Sequence, residues 1–288
     1  MMYHVFAMRY HATSQRVPDW LTHHLLEYQH LEEISPMFWE RLRQGLARFQ
    51  ADKPKVSIVL PVYNEERQLL QTLSSISQLR LPDVYPAEIL IVNDGSGDRT
   101  QEVLQRLDVP HIYLASKQKL MVSRTIGLHQ AKGEYVLHAF ADTYYGPEWG
   151  MDFVRSLDHP HTVMVMGTHI FLPTDRADTG IAFPGQDLKD KISYRLGFSV
   201  QSLYNQNGFN SGVVRELALE HGRYSPDAFC SSDGKMAFML RKIGRVQWLH
   251  TEGSCVWTRR KFERNSGTPL SILDIPRIEE PEDLKIEH

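Results

Sequence analysis

"KVSIVLPVYNEERQLLQTLSSISQL", residues 55–79, is written again in different letters at 87–107 as "AEILIVNDGSGDRTQEVLQRL". Each is an apolar run rich in Val and Ile, then a polar turn, then an amphipathic run. "KVSIVLPVYN" reads as a strand, and "NEERQLLQTLSSISQL" as a helix with Asn64 as its cap. "AEILIVNDGSGD" is a strand that runs into a Gly-rich turn, and "DRTQEVLQRL" is the next helix. The unit continues: "HIYLAS" (111–116) is a strand, "QKLMVSRTIGLHQAKG" (118–133) a helix closed by Gly133, and "EYVLHAF" (134–140) a fourth strand. Strands alternating with helices imply parallel βαβ units with right-handed crossovers. Ligands of such sheets sit at the carboxyl ends of the strands, which puts Tyr63, Asp94 and Asp142 on one rim.

Outside this core the pattern changes. In "SPMFWERLRQGLARFQ" Ser35 offers an N-cap with Pro36 at the first helical position. Phe38, Leu42, Leu46 and Phe49 follow as one apolar stripe, so residues 1–53 read as a helical appendage packed on the main domain. Downstream, "TVMVMGTHIF" (162–171) reads as a strand, 172–187 as loop and 188–206 as helix. "FNSGVVR" is a short strand. "SDGKMAFMLRKIG" is a helix capped by Ser231 or Ser232 and closed by Gly244, and "RVQWLHTEGSCVWT" is further strand material. The expected division is 1–53, a main domain at 54–266 and a Pro- and acid-rich tail at 267–288. The main domain itself divides at residue 150.

Composition excludes several classes. The 288 residues carry 32 basic and 35 acidic side chains, a net charge of −3, so phosphate neutralisation of a nucleic acid is not expected. No apolar run approaches ~18 residues, so an integral membrane segment is not expected. The start "MMYHVFAMRY" lacks a secretory pattern. Cys230 and Cys255 have no C-x-x-C spacing, which argues against a zinc site and fits a reducing cytoplasm.

Three segments carry chemistry. In "LPVYNEE" Tyr63 follows a strand directly, where its ring could stack on a base, and Glu65 could accept hydrogen bonds; read alone, Tyr63 is equally a packing residue. In "VNDGSGDRT" Gly95 and Gly97 permit a tight turn from which Asp94 projects, and no G-x-x-x-x-G-K-[ST] loop is present. In "EYVLHAFADTYYGPEW" (134–149) a single carboxylate, Asp142, follows a buried strand, as a ligand contact or as turn chemistry. His138, His169 and His250 lie in or beside strands; a third metal ligand could come from among them, but each reads more readily as a core or rim histidine.

Strand–"PVYNE"–helix, strand–"NDGSGDRT"–helix and then "SRTIGLHQAKGEYV" together resemble the family 2 glycosyltransferases of GT-A fold, over about residues 55 to 260. The resemblance implies an α/β domain with a Rossmann-like mixed central sheet flanked by helices, with a donor-binding half at 54–150 and an acceptor side at 151–266. It implies an inverting enzyme that moves a sugar from a nucleotide-diphosphate donor, most commonly a uridine one, to a hydroxyl of a glycan or lipid-linked acceptor. The family's cell-surface and polysaccharide chemistry then suggests a cytoplasmic protein at or near the inner membrane face. Its donor motif falls on Pro61, Tyr63 and Glu65, and its base-contacting acid on Asp94, with Asn93 where Asp is usual. Arg124 falls where a cation can approach the nucleotide, with Lys117 and Lys119 as alternatives.

The family's Asp-x-Asp falls on Phe140-Ala141-Asp142, leaving Asp142 as the metal ligand. One carboxylate suffices for Mn or Mg when diphosphate oxygens and waters complete the shell. The family's acceptor-side acid pair falls on Ser232-Asp233, making Asp233 the candidate catalytic base; a helix N-terminus would keep it ionised. Asn210 falls on an acceptor-side segment, and the basic "WTRRKFER" (257–264) is a phosphate-facing or a solvated stretch. A rival reading keeps the fold but not turnover. It makes the chain a nucleotide-sugar or partner-binding module, on the strength of the missing first acid and the missing Glu before Asp233. A nucleotidyltransferase would need a Gly-rich, Lys/Arg-bearing loop after the first strand, which is absent.

Overall fold

The computed structural model describes residues 17–172, 210–222 and 232–259, with Phe171, Ser232 and Asp233 described by their backbone alone. The 188–206 helix, residues 1–16 of the appendage, most of 257–264 and the 267–288 tail lie outside the described residues.

Strands β1 (Val56–Val62), β2 (Ala87–Asn93), β3 (His111–Tyr113) and β4 (Tyr135–His138) are parallel neighbours in the order β3-β2-β1-β4. Beyond β4 come β8 (Ser211–Val214), β6 (Thr162–Met166) and β9 (Arg245–Trp248). Only β8 runs against its neighbours, so the sheet is mixed. The expected strand at 162–171 is two: after β6 the chain breaks at Gly167-Thr168 and re-enters as β7 (His169–Phe171). With β5 (Thr143–Tyr144) and β10 (Val256–Thr258), β7 forms a second, three-stranded sheet in the order β5-β10-β7.

Each face of the large sheet has its own core. Ile58, Leu60, Ile89 and Ile91 point into one. That side is covered by α2 (Pro36–Ala47), α3 (Leu69–Ile76), α4 (Thr100–Leu107) and α6 (Trp149–Leu157). Val59 and Val136 point into the other, against α5 (Leu120–Gln130), α7 (Arg215–His221) and α8 (Ser232–Leu240). This is the period-two alternation of a strand buried on both sides.

The first short helix, α1 (Asp19–Thr22), and α2 belong to the appendage. Ser35 Oγ accepts the Phe38 N–H at 3.2 Å, as the Ser-Pro start predicts. Leu42, Leu46 and Phe49 of the stripe are buried, and Trp39 joins them. All eight residues of α3 are buried, because α2 covers the side the sheet does not. Gln50 bridges antiparallel to Glu88, beside the start of β2 where β3 does not reach.

One local expectation is corrected. Asn64 does not cap a helix: α3 starts at Leu69, after a turn of residues 64–68. Asn64 has φ +54°, a left-handed conformation that Asn tolerates better than most residues.

Candidate active site

The parallel strands β1 and β2 end level, at Val62 and Asn93, and β4 ends three residues short of them at His138, so Tyr63 and Asp94 follow directly, and Asp142 four residues on, at one carboxyl edge of the sheet. Pro61 is buried inside β1, opposite Val92. β4 pairs with β1 only as far as Val59, so the strand tolerates a residue without an N–H two positions later. Pro61 thus backs the rim rather than lining it.

The loops after β1 and β2 are stapled to each other. Asn64 N–H donates to Ser96 Oγ (3.0 Å), and Gly97 N–H donates back to Asn64 Oδ1 (2.8 Å). Glu65 N–H donates to Thr100 Oγ1 (2.8 Å) and Glu66 N–H to Asp98 Oδ2 (3.1 Å). Arg99 N–H donates to Glu66 Oε2 (2.9 Å). Five bonds across some thirty residues of sequence satisfy loop groups that would otherwise need water, and hold Tyr63 and Glu65 beside Asp94. The appendage braces the same place: Tyr28 Oη donates to the Glu66 and Arg67 carbonyls (3.0 and 2.8 Å).

Asn93 has a structural reason to be an amide. Its Oδ1 accepts Ser96 N–H (3.1 Å) while its Nδ2 donates to Gln101 Oε1 (2.9 Å), and Gln101 Nε2 meets His111 Nε2 (2.9 Å). A carboxylate could not make the second of these bonds. Asp94 is almost fully buried, and its Oδ1 accepts Gln118 N–H at 2.8 Å. Gly95, at φ +70°, lies against the Ser116–Lys117 backbone; a Cβ there would sit 2.7 Å from Lys117 N. This contact presses the loop after β3 onto the rim. Lys117 Nζ lies 3.9 Å from the centre of the Tyr63 ring.

Of the three cations considered, Lys117 and Lys119 are exposed and Arg124 is fully buried. The Arg124 guanidinium lies 5.8 Å from the Phe140 ring centre. Burial, and secondarily the Arg124 charge, drive the pKa of the fully buried His138 well below 6.5, so the imidazole is neutral.

Asp142 is half-buried. Its backbone C=O accepts Arg259 N–H (3.0 Å) and Thr258 Oγ1–H (3.1 Å), and its Oδ1 accepts from Thr143 Oγ1 (3.2 Å). The Thr143–Thr258 pairing of the small sheet therefore fixes where this carboxylate stands. Phe140, where a first acid would be, is 6% exposed and part of the core, with its N–H on Tyr145 Oη (2.8 Å). Among the described residues no three His, Cys, Asp or Glu side chains converge as a metal site. A single half-buried carboxylate fits a Mn or Mg ion brought in by a diphosphate, and does not fit a resident all-protein metal cage.

Asp233 stands in the first turn of α8. The turn 241–244 returns the chain into β9, parallel to β6, so the start of α8 faces the carboxyl edge that bears the rim. Asn210 is fastened inside the protein: its Nδ2 donates to Thr168 and Ser254 carbonyls (2.7 and 2.8 Å), and its Oδ1 accepts from Trp149 Nε1 (2.7 Å). A cleft of about 540 Å³ runs between the appendage and the start of α3, lined among others by Tyr28, Arg67, Gln68, Gln71 and Arg259. It meets the rim through Arg259. No described helix is long and apolar enough to cross a membrane.

The sequence did not expose the partners of Asn64, Lys117 on Tyr63, or the Arg259 contact. Lys117 alone had a usable signal, since it follows the carboxyl end of a predicted parallel strand.

Comparison with known proteins bears on this site. The family model described as Glycosyl transferase family 2 matches residues 57–209, just over half of the chain. The poly(ribitol-phosphate) beta-N-acetylglucosaminyltransferase TarS of Staphylococcus aureus is 27% identical over 124 residues, 39% of this chain and 20% of TarS. The poly-beta-1,6-N-acetyl-D-glucosamine synthase of Staphylococcus epidermidis is 35% identical over 92 residues, 31% of this chain and 22% of the synthase. The chain thus spans about a fifth of the length of these curated relatives. In fold, it resembles residues 1–349 of S. aureus TarS solved with UDP-GlcNAc (TM-score 0.57, 18% identity, 72% of this chain and 59% of that one). It also resembles the mannosyltransferase PcManGT of Pyrobaculum calidifontis solved with GDP-Man and Mn2+ (TM-score 0.56, 16% identity, 79% and 65%).

Proposed function

This chain belongs to glycosyl transferase family 2, and on that premise we propose that it transfers a sugar from a nucleotide-diphosphate donor to an acceptor hydroxyl, with inversion. The observation that carries the reading is the stapled pair of loops that holds Tyr63 and Glu65 beside Asp94 at the carboxyl edge of the parallel strands, with Asp142 following the next strand. Residues 54–150 are the donor half and 151–266 the acceptor half. Tyr63 stacks on the base, Asp94 and Glu65 accept its hydrogen bonds, Pro61 backs the pocket, and Arg124 contributes positive charge from beneath the rim. UDP-sugars lead the donor candidates, since TarS was solved with UDP-GlcNAc, and GDP-sugars follow from PcManGT. A glycan or lipid-linked glycan of cell-wall or polysaccharide type is the acceptor class, in line with the names of the bacterial relatives.

The reaction is a single displacement. Asp233 takes the proton of the acceptor hydroxyl as its oxygen attacks the anomeric carbon, and the bond from that carbon to the diphosphate oxygen breaks with its electron pair on the diphosphate. A divalent cation, Mn or Mg, held by Asp142 and the donor's phosphates would offset the charge of the leaving group.

The test is transfer and hydrolysis with a panel of UDP-, GDP- and dTDP-sugars, with and without manganese. Asp233→Asn should abolish transfer, a loss of at least about a hundredfold, while leaving nucleotide affinity nearly intact. Asp142→Ala should abolish the response to metal. Binding of a nucleotide sugar without turnover of any would establish the rival binding-module reading, which the lone acid of Phe140-Ala141-Asp142 favours.

A further inference from the structure

Tyr63 is 36% exposed at the rim, so its ring is available to a ligand, yet the Lys117 ammonium lies 3.9 Å from the ring centre and covers one face. The Lys117 backbone is fixed, because Gly95 packs against it and the next residue, Gln118, donates its N–H to Asp94. Its head is held more weakly. Among the described residues no carboxylate forms an ion pair with Lys117, so a cation-π contact at an exposed site is its resting place. A flexible four-carbon stem lets the ammonium swing while its Cα stays put.

We propose that Lys117 is an exchangeable cap on the donor site: it covers the Tyr63 ring in the free protein, and a nucleotide moves its ammonium from the ring to the diphosphate. This rests on the donor site proposed above. The base takes the ring face that the ammonium leaves, and the ammonium gains a charge-assisted bond to phosphate in place of its contact with the ring. The exchange makes the site selective. A nucleoside must displace the cap without offering it an anion, whereas a nucleoside diphosphate displaces it and gives it one. Free nucleosides are therefore disfavoured and diphosphates favoured by the same side chain.

The two effects of removing Lys117 have opposite signs, which is what the experiment reads. Isothermal titration of wild type and Lys117→Ala is run with uridine and UDP, and with guanosine and GDP. Lys117 is exposed, and matching circular dichroism and melting curves would verify that the variant is folded. The variant should bind the nucleoside about two- to fivefold more tightly, the equivalent of an exposed cation-π contact. It should bind the diphosphate about tenfold or more weakly. In the wild type, the Lys117 ε-methylene proton resonance should be shifted upfield by the Tyr63 ring and should move downfield on adding UDP or GDP. Loss of affinity for nucleoside and diphosphate alike, no change in either, or an unmoved ε-methylene resonance in the complex would overturn the exchange. If wild type binds no diphosphate of either base, the donor site itself falls and the cap with it.

Discussion

Asn64 joins the two stapled loops, and its substitution separates two energies that the structure combines. Its backbone is left-handed at φ +54°, and its Oδ1 receives the Gly97 N–H at 2.8 Å. Asn64→Gly keeps the backbone free but removes the side-chain bond, a loss of about 1 kcal/mol. Asn64→Ala removes the same bond and also places a Cβ without a local hydrogen bond in the left-handed region, where the penalty is about 1 kcal/mol more. Asn64→Asp keeps both the acceptor and the tolerance and should stay within about 0.5 kcal/mol of wild type. The expected stability order is wild type ≈ Asp > Gly > Ala. In thermal melts, about 2–4 °C should be lost for Gly and about 4–8 °C for Ala. Urea unfolding with unchanged m-values is the primary assay, and nucleotide affinity should fall in the same order because Tyr63 is the preceding residue. An Ala variant as stable as the Gly variant would refute the claim that backbone strain contributes. A Gly variant as stable as wild type would refute the value assigned to the Gly97 bond.

Other expectations can be checked on the same protein. A Cβ on Gly127 would come within 2.3 Å of Val59 Cγ1, so Gly127→Ala should cost about 1–3 kcal/mol. With Val59→Ala added, the total should fall short of the sum of the singles by about 1 kcal/mol, and strict additivity would show that the two do not compete for space. Burial, with a smaller push from His23, lowers the pKa of His24 to about 4, and burial with Arg124 lowers that of His138 well below 6.5. The unfolded chain takes up protons near 6.5 that the fold refuses, so stability is full above that pH and is lost as pH falls through it. The loss is up to about 1.4 kcal/mol per unit for each histidine, and the His24 share ends near pH 4. Urea midpoints at pH 7.5 and 5.5 test this; equal midpoints would contradict it.

Much of the candidate site's position on the sheet was readable along the chain. Apolar runs followed by "VYN" and "NDG" put Tyr63 and Asp94 at strand ends, while the fourth run reached to Phe140 on sequence grounds but ends as a strand at His138, leaving Asp142 in the turn after it. The Ser35-Pro36 start and the buried Leu42, Leu46 and Phe49 were equally legible, because caps and stripes depend on neighbours within a few residues. The errors and gaps fall where a side chain's partner is far away in sequence. Asn64 looked like a helix cap because capping is its commonest local use, but Ser96 and Gly97 claim it. Arg124 looked available to a nucleotide, and nothing in its own helix signals that it lies buried beside Phe140 and His138. Asn210 could serve an acceptor or the fold on sequence grounds, and its three internal bonds tie it to Trp149 and two loop carbonyls.

By itself the sequence determined the alternation of strands and helices, the family, and the sheet edge on which the chemistry-bearing residues stand, since periodicity and turn chemistry are local and the direction of parallel strands follows from them. Only the tertiary structure decided what surrounds each of those residues there. Packing against the core made Phe140 a core residue and left Asp142 as the rim carboxylate after β4, and the contact of Gly95 with the next loop laid Lys117 across Tyr63. Such outcomes depend on which surfaces meet after the chain has closed on itself, and no window of neighbouring residues contains that information.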